Sequence, residues 1–363
     1  MYPFFLICPR HLTVSTIHTI LLNKLWRYEV RGQPFTLLKS YLTNRFQFTL
    51  IGNTKSKTLP VTRGVPQGSA LGPLLFIIYI NDIINLTLHS ELIIYADDVV
   101  LVNNNPDSNQ LKLETEEDLT ILSSYFNCNE LTLNNSKSKK MLFSRSKSLT
   151  SIDIIVNGDP IDEVSEFCYL GLLIDKDLKF KNHILKISSK INSSNYLISS
   201  LKFILPEFIS IKLYYTLVHS HLNNHILAWG GSNQTSLNPL LVSVNKSIRL
   251  VCHHQTDTSG KFSQHHILRI PQIYQLKLSE IFYRIIIIGN SPLLNDIVPD
   301  ITFHHEYSTR DSRLRLPRIH TEFNRRFFVS NGVRNWNQIS THFKTDSPSL
   351  FSFKKSIKKY FIS

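Results

Sequence analysis

No aspartate occurs before Asp82 in this 363-residue chain, and Glu29 is the only acid in that first stretch. A centre built from paired carboxylates therefore has to draw on later residues. Cysteine is sparse as well. The four thiols, Cys8, Cys128, Cys168 and Cys252, lie far apart, which excludes a disulfide framework and any familiar zinc-ligand spacing. A reducing compartment, the nucleus or the cytoplasm, is the expectation. The longest isoleucine run, Ile285 to Ile288, falls far short of a membrane span. The apolar start from Met1 to Cys8 lacks a basic leader and is interrupted by Pro3 and Pro9, so it does not read as a signal peptide. No internal repeat or low-complexity tract is present.

Positive charge is plentiful. Net charge is +13 with a pI near 9.5. From Met1 to Arg63 there are nine Lys/Arg and one acid, and from Arg310 to Ser363 twelve and three. The middle of the chain is slightly negative. Basic ends around a carboxylate-bearing centre favour phosphate-bearing partners, nucleic acid above all. At 42.0 kDa and 42% hydrophobic residues the chain can build about two or three cored domains.

The chain is organised around Tyr95-Ala96-Asp97-Asp98. Leu92, Ile93 and Ile94 precede it, and Val99, Val100, Leu101 and Val102 follow. Two apolar β-forming runs joined at a tight polar corner predict a hairpin. Adjacent carboxylates repel and resist ionisation unless a cation lies between them. Hard divalent ions take carboxylate oxygens and commonly share a site with substrate phosphates. Aspartate also favours plain surface turns, so the dipeptide alone does not decide.

Before the corner, helices are expected from about His18 to Val30 and after Pro34. Phe46, Phe48 and Leu50 alternate with polar residues, as in a half-buried strand ending at Gly52-Asn53. Gly64-Val65-Pro66-Gln67-Gly68-Ser69 forms a loop that a ligand can approach closely. The following helix, Leu74 to Tyr79, is apolar nearly all round, hence expected to be buried. Asp107 to Phe126 is amphipathic, and its acids Glu114, Glu116, Glu117 and Asp118 read as a solvated face. Short strands follow to Ile174, with helical periodicity from Lys181 to about His254 and again at about Gln272 to Gly289. A basic helix spans Phe351 to Phe361.

Arg63-Gly64-Val65-Pro66-Gln67-Gly68-Ser69-Ala70-Leu71-Gly72-Pro73-Leu74-Leu75-Phe76, then Tyr79-Ile80-Asn81-Asp82, then Tyr95-Ala96-Asp97-Asp98, closely resembles the reverse transcriptase of non-LTR (LINE-type, jockey-like) retrotransposons. The order and spacing of the blocks match. Leu131 to Asn134 with Lys137, Tyr169-Leu170-Gly171, Leu213 to Gly230 and Ser352 to Lys355 resemble further family blocks.

The resemblance implies an α+β right-hand polymerase. A palm of antiparallel sheet and helices would span residues 1–175, a helical thumb 176–255, and a basic, mostly helical extension 256–363, with the fingers largely missing. Asp97 and Asp98 would be metal ligands for Mg²⁺ or Mn²⁺. Gly64, Pro66, Gln67, Gly68 and Ser69 would lie against template and nucleotide. Lys137 would sit near the leaving pyrophosphate, and Tyr169, Leu170 and Gly171 would hold the primer end. Partners would be an RNA template with a DNA primer, or an RNA–DNA hybrid, with no membrane.

The resemblance also implies an aspartate in a strand just before the helix that starts near His18. The position that lines up is Val14, which cannot ligate Mg²⁺. The expectation is an N-terminally truncated, catalytically impaired RNA-directed DNA polymerase. Its alternative is a non-catalytic nucleic-acid-binding remnant, or the product of a decayed gene.

Smaller signals point elsewhere. Cys252 with His253 and His254, His265-His266, and His304-His305-Glu306 could ligate zinc, though none has a recognised spacing. Trp229 and Trp336 read as core. The lysines of the last helix either meet phosphates or cover a solvated face.

Overall fold

The strand Asp98–Asn104 is flanked on both sides in an otherwise small sheet. The computed structural model describes residues 3–8, 17–66, 68–131, 138–143, 152–156, 158–252, 259–289, 314, 316, 327–345 and 347–362. Val14, Gln67, Lys137, His253, His254 and the His304 cluster lie outside them. The described chain is α+β and divides into two units, residues 1–167 with 175–177, and residues 168–174 with 178–363.

In the first unit, five strands run in the order Asp162–Glu163, Lys139–Leu142, Pro3–Cys8, Asp98–Asn104, Glu91–Tyr95. All neighbours are antiparallel except the first pair. Side chains alternate across a strand, so Val99 and Leu101 share one face and Asp98, Val100 and Val102 the other. The Val99 face packs with the helices His18–Arg27, Leu71–Ile80 and Ser108–Cys128 into one core that includes Leu21, Leu75, Tyr79, Leu119 and Phe126. Strand Glu91–Tyr95 shows the period-2 pattern of a sheet edge, with 91, 93 and 95 exposed and 92 and 94 half-buried.

Three expectations need correction here. Helix Leu71–Ile80 buries Gly72, Leu75, Phe76, Tyr79 and Ile80, one face at helical spacing, while Leu74 and Ile77 are about half exposed. Phe46, Phe48 and Leu50 are not half-buried. Phe46 and Leu50 belong to short two-stranded ribbons, Phe46–Gln47 with Leu59–Pro60 and Leu50–Ile51 with Thr54–Lys55, whose residues are all exposed, and Phe48, also exposed, lies between them. Asp118 is fully buried and accepts backbone N–H bonds from His89 (2.9 Å) and Ser90 (2.8 Å). It fastens the turn before the edge strand rather than facing solvent.

The second unit is mainly helical. Helices Lys181–Leu201 and Gln234–Val251 pack along each other through apolar residues and a buried polar seam. In that seam Ser188 and Ser243 hydroxyls lie 2.8 Å apart, Asn195 Nδ2 donates to the Ser243 carbonyl, and the Ser247 hydroxyl donates to Asn195 Oδ1. Described residues from Ile184 to Ile357 form one core cluster, which takes in Ile270–Tyr283, Phe328–Gln338 and the basic helix Leu350–Ile362. Trp229 and Trp336 are both core residues. Gly332 is required by contact: a Cβ there would lie 2.0 Å from the Phe282 ring.

Candidate active site

Tyr95 and Asp98 close the hairpin as a cross-strand pair, which leaves Ala96-Asp97 as a two-residue corner. Ala96 takes φ +52°, the left-handed region, which costs an L-residue with a Cβ about 1–2 kcal/mol. Such strain persists where surrounding structure over-determines the backbone, and it clusters at ligand-binding corners. Here the apolar arms, paired residue by residue from Glu91↔Val102 to Tyr95↔Asp98, supply that constraint.

Asp98 is buried at 7% exposure, and Asp97 is half-buried. Among the described residues, neither carboxylate accepts a hydrogen bond or pairs with a cation. Two adjacent carboxylates at one corner repel each other, and a divalent cation held between them relieves that repulsion. Two acid side chains at one rigid corner offer hard oxygen donors, which suits Mg²⁺ or Mn²⁺.

The neighbouring strand gives Asp98 no help. Ile7 is in register with Val100 and Cys8 with Val99. Position 7 therefore falls on the strand row that shares a face with Asp98, and the strand Pro3–Cys8 contains no acid. On the far side of that strand Lys139 is in register with Ile7 and pairs with Asp162 at 2.6 Å. The Lys139 ammonium holds the Asp162 carboxyl below its usual range.

The glycine loop is fastened from both ends. Gly64 has φ +80°, and its carbonyl lies 2.8 Å from His18 Nε2. The Ser69 hydroxyl donates to the Pro66 carbonyl (2.8 Å) and accepts from Tyr41 Oη (2.7 Å) and the Gly72 N–H (3.0 Å). Ser69 thus holds the loop against the start of helix Leu71–Ile80. A Cβ on Gly72 would meet the Pro66 carbonyl at 3.1 Å. Gly68 also has a positive φ, +80°, and open space where a Cβ would point, so the loop's backbone is approachable there.

Between helix His18–Arg27 and the end of helix Leu71–Ile80 lies an ion pair that sequence reasoning did not identify. Lys24 Nζ donates to Asp82 Oδ1 (2.7 Å) and to the Tyr79 carbonyl (2.6 Å), and it sits 4.9 Å from the Tyr79 ring centroid. Tyr125 Oη donates to the same Asp82 oxygen at 2.6 Å. Burial, then the Asp82 carboxylate, pushes the Tyr125 hydroxyl pKa up. Tyr79 Oη donates to the Asn129 carbonyl and accepts from the Ile17 N–H, and burial raises its pKa too. Asp82 is therefore spent on the scaffold. The i, i+3 placement of Tyr79 and Asp82 could have signalled it, but their partner Lys24 is too distant in sequence to read.

Tyr169, Leu170 and Gly171 belong to the second unit. Leu170 (φ +47°) and Gly171 (φ +90°) form the corner between strands Glu166–Tyr169 and Leu172–Asp175.

Residues 16–174 match the family "Reverse transcriptase (RNA-dependent DNA polymerase)". The RNA-directed DNA polymerase assigned to transposon X-element of Drosophila melanogaster is 26% identical over 224 residues, 60% of this chain and 25% of the relative. The RNA-directed DNA polymerase from mobile element jockey of Drosophila funebris is 25% identical over 230 residues, with the same two shares. That assigned to transposon BS of Drosophila melanogaster is 30% identical over 158 residues, 41% of this chain and 17% of the relative. The chain spans about a quarter of the length of these first two relatives.

Proposed function

We propose that residues 16–174 are a reverse transcriptase domain of the jockey and X-element kind, with the Tyr95–Asp98 corner as the metal-holding part of an RNA-directed DNA polymerase centre. The first unit acts as palm and the helical part of the second as thumb, and an RNA template with a DNA primer is the bound partner. The observation that carries this reading is Asp98, a buried carboxylate with no partner among the described residues, on a strained and doubly anchored hairpin.

Divalent ions held there would lower the pKa of a primer hydroxyl and hold the attacking and leaving oxygens of an in-line displacement at phosphorus. Asp97 and Asp98 supply the oxygens. The approachable backbone at Gly68 lets a template strand or nucleotide lie close. The corner of Tyr169, Leu170 and Gly171 is assigned to the primer end, Gln67 to the template and Lys137 to the pyrophosphate, all on the resemblance of their blocks. No helix among the described residues is long and apolar enough to cross a membrane.

Catalysis is impaired in this reading, because the strand Pro3–Cys8, which pairs with Asp98–Asn104, contributes no carboxylate. Primer extension on an RNA template, run beside hybrid binding across a salt series, tests the proposal. The expected result is binding that falls steeply with salt, with slow template-dependent extension that Asp98→Ala abolishes. Binding without any extension supports a non-catalytic nucleic-acid binder. Fast extension, or extension that survives Asp98→Ala, removes the acid corner from the mechanism.

A further inference from the structure

The second unit brings together three side chains of metal-ligand type that no sequence spacing connects. Glu207 opens the helix Glu207–Tyr214 just after Pro206, Cys252 ends the helix Gln234–Val251, and His265 follows the helix Ser259–Gln264. One ligand atom from each lies within 4.8 Å of the others. His265 Nε2 is 3.0 Å from Glu207 Oε1. Each donor is positioned by backbone: the Cys252 N–H bonds the Ile248 carbonyl (3.0 Å), the His265 N–H the Lys261 carbonyl (3.1 Å), and Ser210 and Ile209 N–H groups tie the Glu207 turn to Pro206.

We infer that Glu207, Cys252 and His265 form a zinc site, with water as the fourth ligand. Thiolate, imidazole and carboxylate are the three donor types zinc takes, and three protein ligands leave one position open. A thiolate selects zinc or cobalt over the hard ions suited to the Asp97–Asp98 corner. The charges also balance: one thiolate and one carboxylate neutralise a divalent ion, so the occupied site holds no net charge. Cys252 is buried, in the same core cluster as Phe262 and Ile267. The Glu207 side chain is 45% exposed and leaves an entry path. Without metal, burial holds the Cys252 thiol above its ordinary pKa, with the nearby Lys261 ammonium opposing and the Glu207 carboxylate adding to that shift.

Bound zinc would join three helix ends from one core, so metal binding adds to folding free energy. It would make the site a staple within this unit, independent of the polymerase reading.

Elemental analysis of the purified full-length chain tests this. The expected content is about one zinc per chain, falling more than about tenfold in Cys252→Ala and in His265→Ala and unchanged in His266→Ala. Cobalt added to the metal-free chain with Cys8, Cys128 and Cys168 replaced by serine should give a thiolate-to-cobalt charge-transfer band, because Cys252 is then the sole cysteine. Chelator should lower the melting temperature of the wild-type chain. The inference is overturned if wild-type protein carries no zinc and takes up none from solution. Undiminished zinc in folded Cys252→Ala, or cobalt binding without the charge-transfer band, overturns it as well.

Discussion

Ile7 stands in antiparallel register with Val100, two residues along the strand from Asp98. Val100 and Asp98 share a face, so position 7 is the described register position of the neighbouring strand that falls in the row of Asp98. Ile7→Asp is predicted to raise Mg²⁺-dependent extension on an RNA template by about 10²-fold, the scale of one preorganised electrostatic contact. Steady-state extension rates of the two proteins check it. An unchanged or lower rate in a folded variant would show that the missing carboxylate belongs elsewhere.

The Lys24–Asp82 pair is 2.7 Å long, with the Lys24 side chain 9% exposed. Removing one partner of such a pair strands the other, which typically costs 3–5 kcal/mol, whereas replacing both by apolar groups is close to neutral. The Asp82 side chain is 36% exposed and keeps its hydrogen bond from Tyr125 Oη, so Lys24→Met should lower the stability of the first unit by about 1–2 kcal/mol, and Lys24→Met with Asp82→Leu should recover part of it. Urea unfolding of the single and double variants measures this. A double variant as unstable as the sum of its parts would contradict the pairing.

His183 is almost fully buried and accepts the Leu173 N–H on Nδ1 at 3.2 Å, a bond that needs the neutral ring. Burial lowers its pKa to about 4, and His225, Lys186 and Lys190 add to the effect. The folded state thus binds fewer protons than the unfolded chain, whose histidine titrates near 6.5. Stability from this group is complete above about pH 6.5 and drains away as pH falls toward 4. The loss is about 2 kcal/mol by pH 5. His183→Gln should flatten the decline in unfolding free energy between pH 6.5 and 5. An equally steep decline in that variant would rule the residue out as its source.

Phe46 (67% exposed), Ile51 (77%) and Leu59 (53%) place apolar groups on ribbons open to water. Lys55 lies 3.9 Å from the Phe48 ring and shields only that one. Exposed apolar ribbon edges invite pairing with a second chain. Light scattering should show concentration-dependent association that Phe46→Ser with Ile51→Thr reduces, with stability altered by less than about 0.5 kcal/mol. Association that ignores these substitutions would locate the sticky surface elsewhere.

The features legible from sequence were those set by local pattern. Tyr95–Asp98 was readable because two apolar β-forming runs flank a polar corner. The amphipathic helix starting at Asp107 was readable because aspartate caps it, accepting the Asn109 N–H at 2.8 Å. What periodicity could not convey was what lies opposite each face. Phe46 and Leu50 carry a strand-like alternation, yet no layer covers them. Asp118 sits among Glu114, Glu116 and Glu117 and looks solvated until the turn at His89 folds onto it. The partner of Asp82 and the gathering of Glu207, Cys252 and His265 are long-range facts that only the fold expresses. Ile7 was unremarkable in sequence, and the register of strand Pro3–Cys8 gives it meaning.

Manganese binding by the full chain with a bound RNA–DNA template–primer tests the central claim most directly, read by paramagnetic titration on the wild type and Asp98→Asn. The account predicts that Asp98→Asn, still folded, binds Mn²⁺ at least about tenfold more weakly, since a carboxylate ligand is lost. Equal affinity in the two proteins would contradict it.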